Sequence, residues 1–150
     1  MEFYPDIRVR KKDGYEDRLV VGVDDDNADL AARAADIKAY MNKYSIGEGL
    51  LVSPSHFRVY RNWVGPYPDG AAEIADFPTR EVMGRLPSHV GRLELWDFVE
   101  EWLRKIPAPT LFGMAPLPPK IQDVIEWEIL PFLYNGEILV SGSRWVPEVY

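Results

Sequence analysis

Asp6 and the run Asp24-Asp25-Asp26 are the residues whose types and placement permit chemistry. Asp6 precedes the alternating stretch Ile7-Arg8-Val9-Arg10, and the acidic run closes the apolar stretch Leu19-Val20-Val21-Gly22-Val23. If the two stretches pair antiparallel about Lys12-Asp13-Gly14, Asp6 falls opposite Val23-Asp24, within one or two positions. Two carboxylates then converge at one strand edge, a geometry suited to a hard divalent cation. Two carboxylates that close, with no Lys or Arg expected beside them at that edge, repel each other, so one takes up a proton or a cation sits between them. The expectation is weak binding of Mg2+ or Mn2+ by Asp6 and Asp24, at roughly 10⁻⁴ to 10⁻³ M. The same acids also read as a helix cap, and that reading outranks a working metal site.

The elements that would position these carboxylates follow from periodicity. Ile7 and Val9 alternate with arginines, as in a strand with one wet face, whereas Leu19 to Val23 is apolar throughout, as in a strand covered on both sides. Asp26 is a plausible N-cap for a helix over 27–45, with Leu30, Ala34, Ile37, Met41 and Tyr44 as its apolar stripe. An Asp29–Arg33 pair lies on the neighbouring face, and Gly47 and Gly49 end the helix. Leu50 to Val52 and Phe57 to Arg61 read as two further strands about a turn at Pro54-Ser55-His56. A helix between two buried strands implies a right-handed crossover that sets them parallel, hence a mixed α/β sheet.

Composition narrows the classes. At 150 residues the chain suits a single domain large enough to bury a core without covalent staples. It has no cysteine, so disulfides and thiolate zinc sites are excluded. His56 and His89 lack ligand-like spacing and read as loop or surface histidines. No apolar stretch approaches membrane-spanning length, and the acidic, aromatic beginning is not a signal peptide, so a cytoplasmic, membrane-free protein is expected. The net charge of -7 disfavours broad, sequence-independent nucleic-acid binding, which rests on cationic contacts to phosphates.

Pro5-Asp6, the strand ending in a charged triplet, the helix, and the hairpin from Gly49-Leu50-Leu51-Val52-Ser53 to Phe57-Arg58-Val59-Tyr60 resemble the core of the restriction-endonuclease-like, PD-(D/E)XK, nuclease superfamily. The N-terminal nuclease domain of type I restriction motor subunits is nearest. The resemblance covers roughly residues 1–62 and implies a mixed central sheet with a crossover helix. It also implies that Asp6 and an acid on the second strand bind magnesium, and that a lysine two positions after that acid positions the attacking water. In this chain the acid's position is Gly22 and the lysine's position is Asp24. The relatives' Gln-x-x-x-Tyr motif falls on Asp36-Ile37-Lys38-Ala39-Tyr40, which keeps the Tyr only. Asp24 points to the same face as Gly22 and can still join Asp6 at a metal, but the lysine would have to come from elsewhere, Lys38 or Lys43 being candidates.

Residues 63–150 read as an elaboration packed on that core, with a helical part and a hairpin. Trp63 to Gly70 reads as an ordered loop, Glu81 to Leu86 as a short helix, and Leu93 to Lys105 as a longer helix. Leu95, Phe98, Val99, Trp102 and Ile106 form the face of the longer helix that should cover a bare sheet face. Ala108 to Pro119 reads as a buried loop, with a proline-rich recognition segment as the alternative. The Asn135-Gly136 pair assigns Ile129 to Leu133 and Ile138 to Ser141 to a hairpin. Three functions fit: a catalytically defective nuclease-like module that binds a protein or nucleic-acid partner, a metal-dependent endonuclease rearranged around Asp6 and Asp24 with Asp36, Lys38 or Lys43, and an acidic inhibitor or immunity-type protein. Loss of the acid and the lysine together favours the first.

Overall fold

A computed structural model describes residues 3–14, 16–62, 70–84, 86, 90–107 and 117–141. The expected loops at Trp63 to Gly70 and Ala108 to Pro119, and His89, fall largely or wholly outside those residues. The strands are β1 (Ile7–Lys11), β2 (Asp17–Val23), β3 (Glu48–Val52), β4 (His56–Asn62), β5 (Ala71–Pro78) and β6 (Gly136–Val140). They form one six-stranded sheet in the order β5-β4-β3-β2-β1-β6. The pair β2/β3 is parallel, and every other pair is antiparallel. Helix α1 (Leu30–Tyr44) makes the crossover between the two parallel strands, as the order of periodicities requires.

The burial of each strand follows its sequence. In β1 the side chains of Ile7 and Val9 are buried while Arg8 and Arg10 are partly exposed. All five residues of β3 are buried, and its alternate side chains enter two different cores. Leu50 and Val52 join Val21, Phe57 and Val59 on one face, while Leu51 joins Phe3, Val20 and Tyr60 on the other, where Ile37 and Met41 of α1 cover them. On the first face lie α3 (Arg92–Lys105) and the segment formed by α4 (Pro119–Val124), a π-helical stretch (Ile125–Ile129) and α5 (Leu130–Leu133). The short α2 (Thr79–Met83) places Val82 in the same core. Helix α3 buries Leu95, Trp96, Val99, Trp102 and Leu103, with the ring of Trp102 edge-on to Phe57 at 5.3 Å. It covers the sheet face as its apolar stripe predicts.

Three local expectations are corrected. Helix α1 is capped by Asp29, whose Oδ1 accepts the Ala32 N–H at 3.1 Å, and not by Asp26. Asp26 instead accepts from the N–H and hydroxyl of Ser55 and ties the β3–β4 turn to the start of the crossover. The helix ends at Ser45, in the left-handed conformation at φ 56°, before either glycine is reached. Finally, Ile129 to Leu133 is helical, and β6 pairs with β1 instead, Ile7 opposite Val140 and Val9 opposite Ile138. Ile125, Ile129, Leu130 and Leu133 bury one side of that segment while Trp127 stands 77% exposed, which a strand alternating at Trp127 could not achieve. Pro131 has no N–H to give to the fourth residue back, and the ladder widens into the π stretch just before it. Gly136 serves this helix-to-strand corner: a Cβ there would collide with the Phe132 carbonyl oxygen and lie 2.6 Å from Val9 Cγ1. Strand β5 gave no signal in advance because its burial does not alternate cleanly along an edge bonded on one side.

The helical segment is also fixed by a buried acid. Glu48, 3% exposed on the α3 side of β3, makes a carboxyl–carboxyl hydrogen bond with Glu128, which in turn accepts from Arg61 Nη1 at 3.1 Å. Burial first, and then the bond to and charge of Glu128, push the Glu48 carboxyl up to about 10, so it keeps its proton at neutral pH. A carboxyl raised in the folded state contributes its stability fully below the unfolded value of 4.5 and loses it as pH climbs toward about 10. Stability to denaturant should therefore fall across that window by up to about 1.4 kcal/mol per pH unit, and Glu48→Gln should flatten the slope. A wild-type profile that rises or stays level from pH 5 to 9 contradicts this account. Gly136→Ala, blocked by backbone, should cost about 1–3 kcal/mol in the same assay.

Candidate functional site

The carboxyl end of the parallel pair β2/β3 brings the predicted acids together. The Asp6 N–H donates to the Val21 carbonyl at 2.8 Å, extending the β1/β2 ladder by one step. From there its Oδ2 accepts the Val23 N–H at 2.7 Å. The register is thus within the one- or two-position margin expected of the turn. The Asp24 N–H donates to the Val52 carbonyl at 2.9 Å, so this residue continues the parallel ladder past the last assigned pair. The side chains of Asp6 and Asp24 are only 8% and 10% exposed, and the charge of Asp24 is felt at Asp6.

What the sequence did not disclose is that each acid has its own arginine. Arg92, at the first position of α3, donates from Nη2 to Asp6 Oδ1 at 2.7 Å and from Nε to the Val23 carbonyl at 2.9 Å. Arg33, in the first turn of α1, donates from Nε to Asp24 Oδ2 at 2.9 Å, and its Nη1 lies 3.8 Å from Asp36. The expected Asp29–Arg33 pair is replaced by these contacts. Each guanidinium also rests on an aromatic face, Arg92 at 5.0 Å from the Trp96 ring and Arg33 at 4.9 Å from Phe3. The premise of two acids without a nearby cation is therefore overturned. No spacing rule links Asp6 to Arg92, eighty-six positions away; the available signal was an arginine at the start of a strongly amphipathic helix.

Burial raises the Asp6 carboxyl above its ordinary value, opposed in turn by the Val23 N–H and by Arg92, with Asp24 adding to the rise and Arg33 working against it. Burial also pushes Asp26 upward, but the bonds from Ser55 and Ser53 prevail and hold it below the usual range. Asp25 and Asp26 are exposed and lie outside the arginine pairs. His56 opens β4, half-buried, with Nδ1 3.1 Å from Asp76. Lys38 is partly buried on α1, and the basic group of that helix that reaches Asp24 is Arg33, one turn earlier.

A metal ion fits this donor set poorly. Both oxygens of Asp6 already accept charge-assisted or backbone hydrogen bonds, and the cation beside each acid is a guanidinium. The third position is closed as well: a Cβ on Gly22 would stand 3.3 Å from Leu51 Cδ1 and 3.3 Å from the Phe3 ring, so an acidic side chain there would have to displace a buried phenyl group.

No family model, curated protein or solved structure matches the chain. Among the described residues no helix is long and apolar enough to cross a membrane.

Removing one partner leaves a buried charge, so Arg92→Ala should destabilise the protein toward the lower end of roughly 3–5 kcal/mol, because Arg92 itself is partly exposed. The loss should shrink on acidification, since an acid with a raised folded value regains stability as pH drops toward its unfolded value of 3.8. Denaturant midpoints at pH 4.5 and 7.5 test this; equal losses at both would mean that Asp6 is not the group left uncompensated.

Proposed function

We propose that the chain is a catalytically defective, nuclease-like module that acts by binding a protein or nucleic-acid partner. The observation that carries the reading is the pairing of Asp6 with Arg92 and of Asp24 with Arg33 at the place where the resembled nucleases hold their metal. Metal-assisted hydrolysis needs a cation with an open coordination position for water. A guanidinium is a fixed set of donors with no such position, and it cannot be deprotonated to serve as a base. The mixed sheet and the parallel β2/β3 crossover support the likeness in architecture, while Gly22 under Phe3 supports the loss of chemistry.

In this reading the arginines took over the work of the cation. They neutralise the acids, hold the strand ends and leave a rigid polar surface in which Arg92 and Arg33 remain about a third and a quarter exposed. Rigidity of this kind suits recognition, because side chains already ordered lose less entropy on binding.

Incubation of the purified chain with duplex and single-stranded DNA, with magnesium or manganese, should give no cleavage. A thermal melt should show no metal-induced rise in midpoint, since a ligand bound only by the folded state would raise it. Cleavage that disappears in Asp6→Ala would sink the proposal and promote a rearranged nuclease site. A rise present in the wild type and lost in the Asp6→Asn, Asp24→Asn double variant would restore the millimolar cation site.

A further inference from the structure

We propose that the cavity between the start of β2 and the last turn of α1 binds a guanidinium group. It encloses about 400 Å³ and is lined by Glu16, Asp17, Tyr40, Tyr44, Ser45 and Ile46. That volume is at the small end of ligand pockets.

The wall is aromatic. Tyr40 and Tyr44, one helical turn apart, have ring centroids 4.6 Å apart and planes tilted by 48°, and Tyr44 is 52% exposed. Rings in this neighbourhood already draw cations to their faces: Lys43 Nζ lies 5.3 Å from the Tyr44 centroid and the Arg8 guanidinium 5.8 Å from that of Tyr4. The rest of the lining is acidic. Asp17 is largely buried and accepts from Arg8 Nη1 at 3.3 Å, with Arg10 Nε at 3.7 Å, so its charge is held in place and mostly offset. Glu16 is exposed and pairs with no described residue, which makes it the uncompensated charge at the cavity.

These groups select among cations. A carboxylate at an aromatic wall suits a planar ion that lies flat on a ring and turns N–H donors toward the acid, which is the geometry of guanidinium. A quaternary ammonium has no N–H to offer Glu16, and a compact ammonium makes poorer use of the ring face. The edge of guanine also presents adjacent N–H donors, but it is neutral, and the phosphate of a nucleotide would meet Glu16 and Asp17. Ser45 adds a hydroxyl at the margin.

The test is a titration followed by the aromatic NMR signals of Tyr40 and Tyr44. N-acetylarginine amide should shift them saturably, while N-acetylcitrulline amide, alike in shape but uncharged, should bind at least about tenfold more weakly. Glu16→Gln and Tyr44→Leu, both changes at exposed side chains, should each weaken the arginine compound by roughly tenfold. Agmatine and an acetylated Gly-Arg-Gly amide then distinguish a free guanidinium compound from an arginine displayed on a peptide, and saturable binding of either supports the site. Absence of a saturable shift, equal affinity for the citrulline compound or guanosine monophosphate, or unchanged affinity in both variants would overturn it.

Discussion

Asp6 carries a charge into a place where water hardly reaches, and the arrangement around it is the solution to that constraint. A carboxylate that is 8% exposed must find donors within the protein or give up its charge. It finds the Val23 N–H from its own sheet and the Arg92 guanidinium from α3, while Asp24 beside it takes Arg33 from α1. The two arginines start helices on opposite faces of the sheet, so two ion pairs at one strand end register both layers against the same edge. Their value lies less in net stabilisation than in uniqueness, because a helix shifted by a turn would strand a buried charge.

The same pairs define what the site can do. Both carboxylates are held by guanidiniums that themselves rest on aromatic rings, so the acids and their cations are fixed together at the strand end. Phe3 stands over Gly22 and under Arg33, so one aromatic ring both crowds any side chain at that position of β2 and supports the arginine that pairs with Asp24.

The mixed sheet was legible in the sequence because its signals are local: Ile7 and Val9 alternating, Leu19 to Val23 continuous, and the stripe of Ile37 and Met41. The convergence of Asp6 with Asp24 was legible because a hairpin converts sequence distance into register. The arginines were not, since Arg92 reaches Asp6 only through the packing of α3 on the sheet. Asn135-Gly136 misled for a related reason. That pair marks a sharp reversal, but Pro131 and the spacing of Ile125, Ile129 and Leu133 make the element before it a helix, and only tertiary pairing shows β6 lying beside β1. Glu48 carried no local signal either, since its burial depends on Glu128 and Arg61 being brought over it by the tertiary fold.

The placement of β1 between β2 and β6 has a consequence for synthesis on the ribosome. Until residues 136–140 have emerged, β1 has its hairpin partner on one side and an open edge on the other, with Ile7 and Val9 lacking their final cover. An unpaired, half-apolar edge of this kind invites pairing with other chains. The nascent protein therefore exposes an association-prone edge at β1 for as long as β6 is missing, and chaperone protection would matter during that interval.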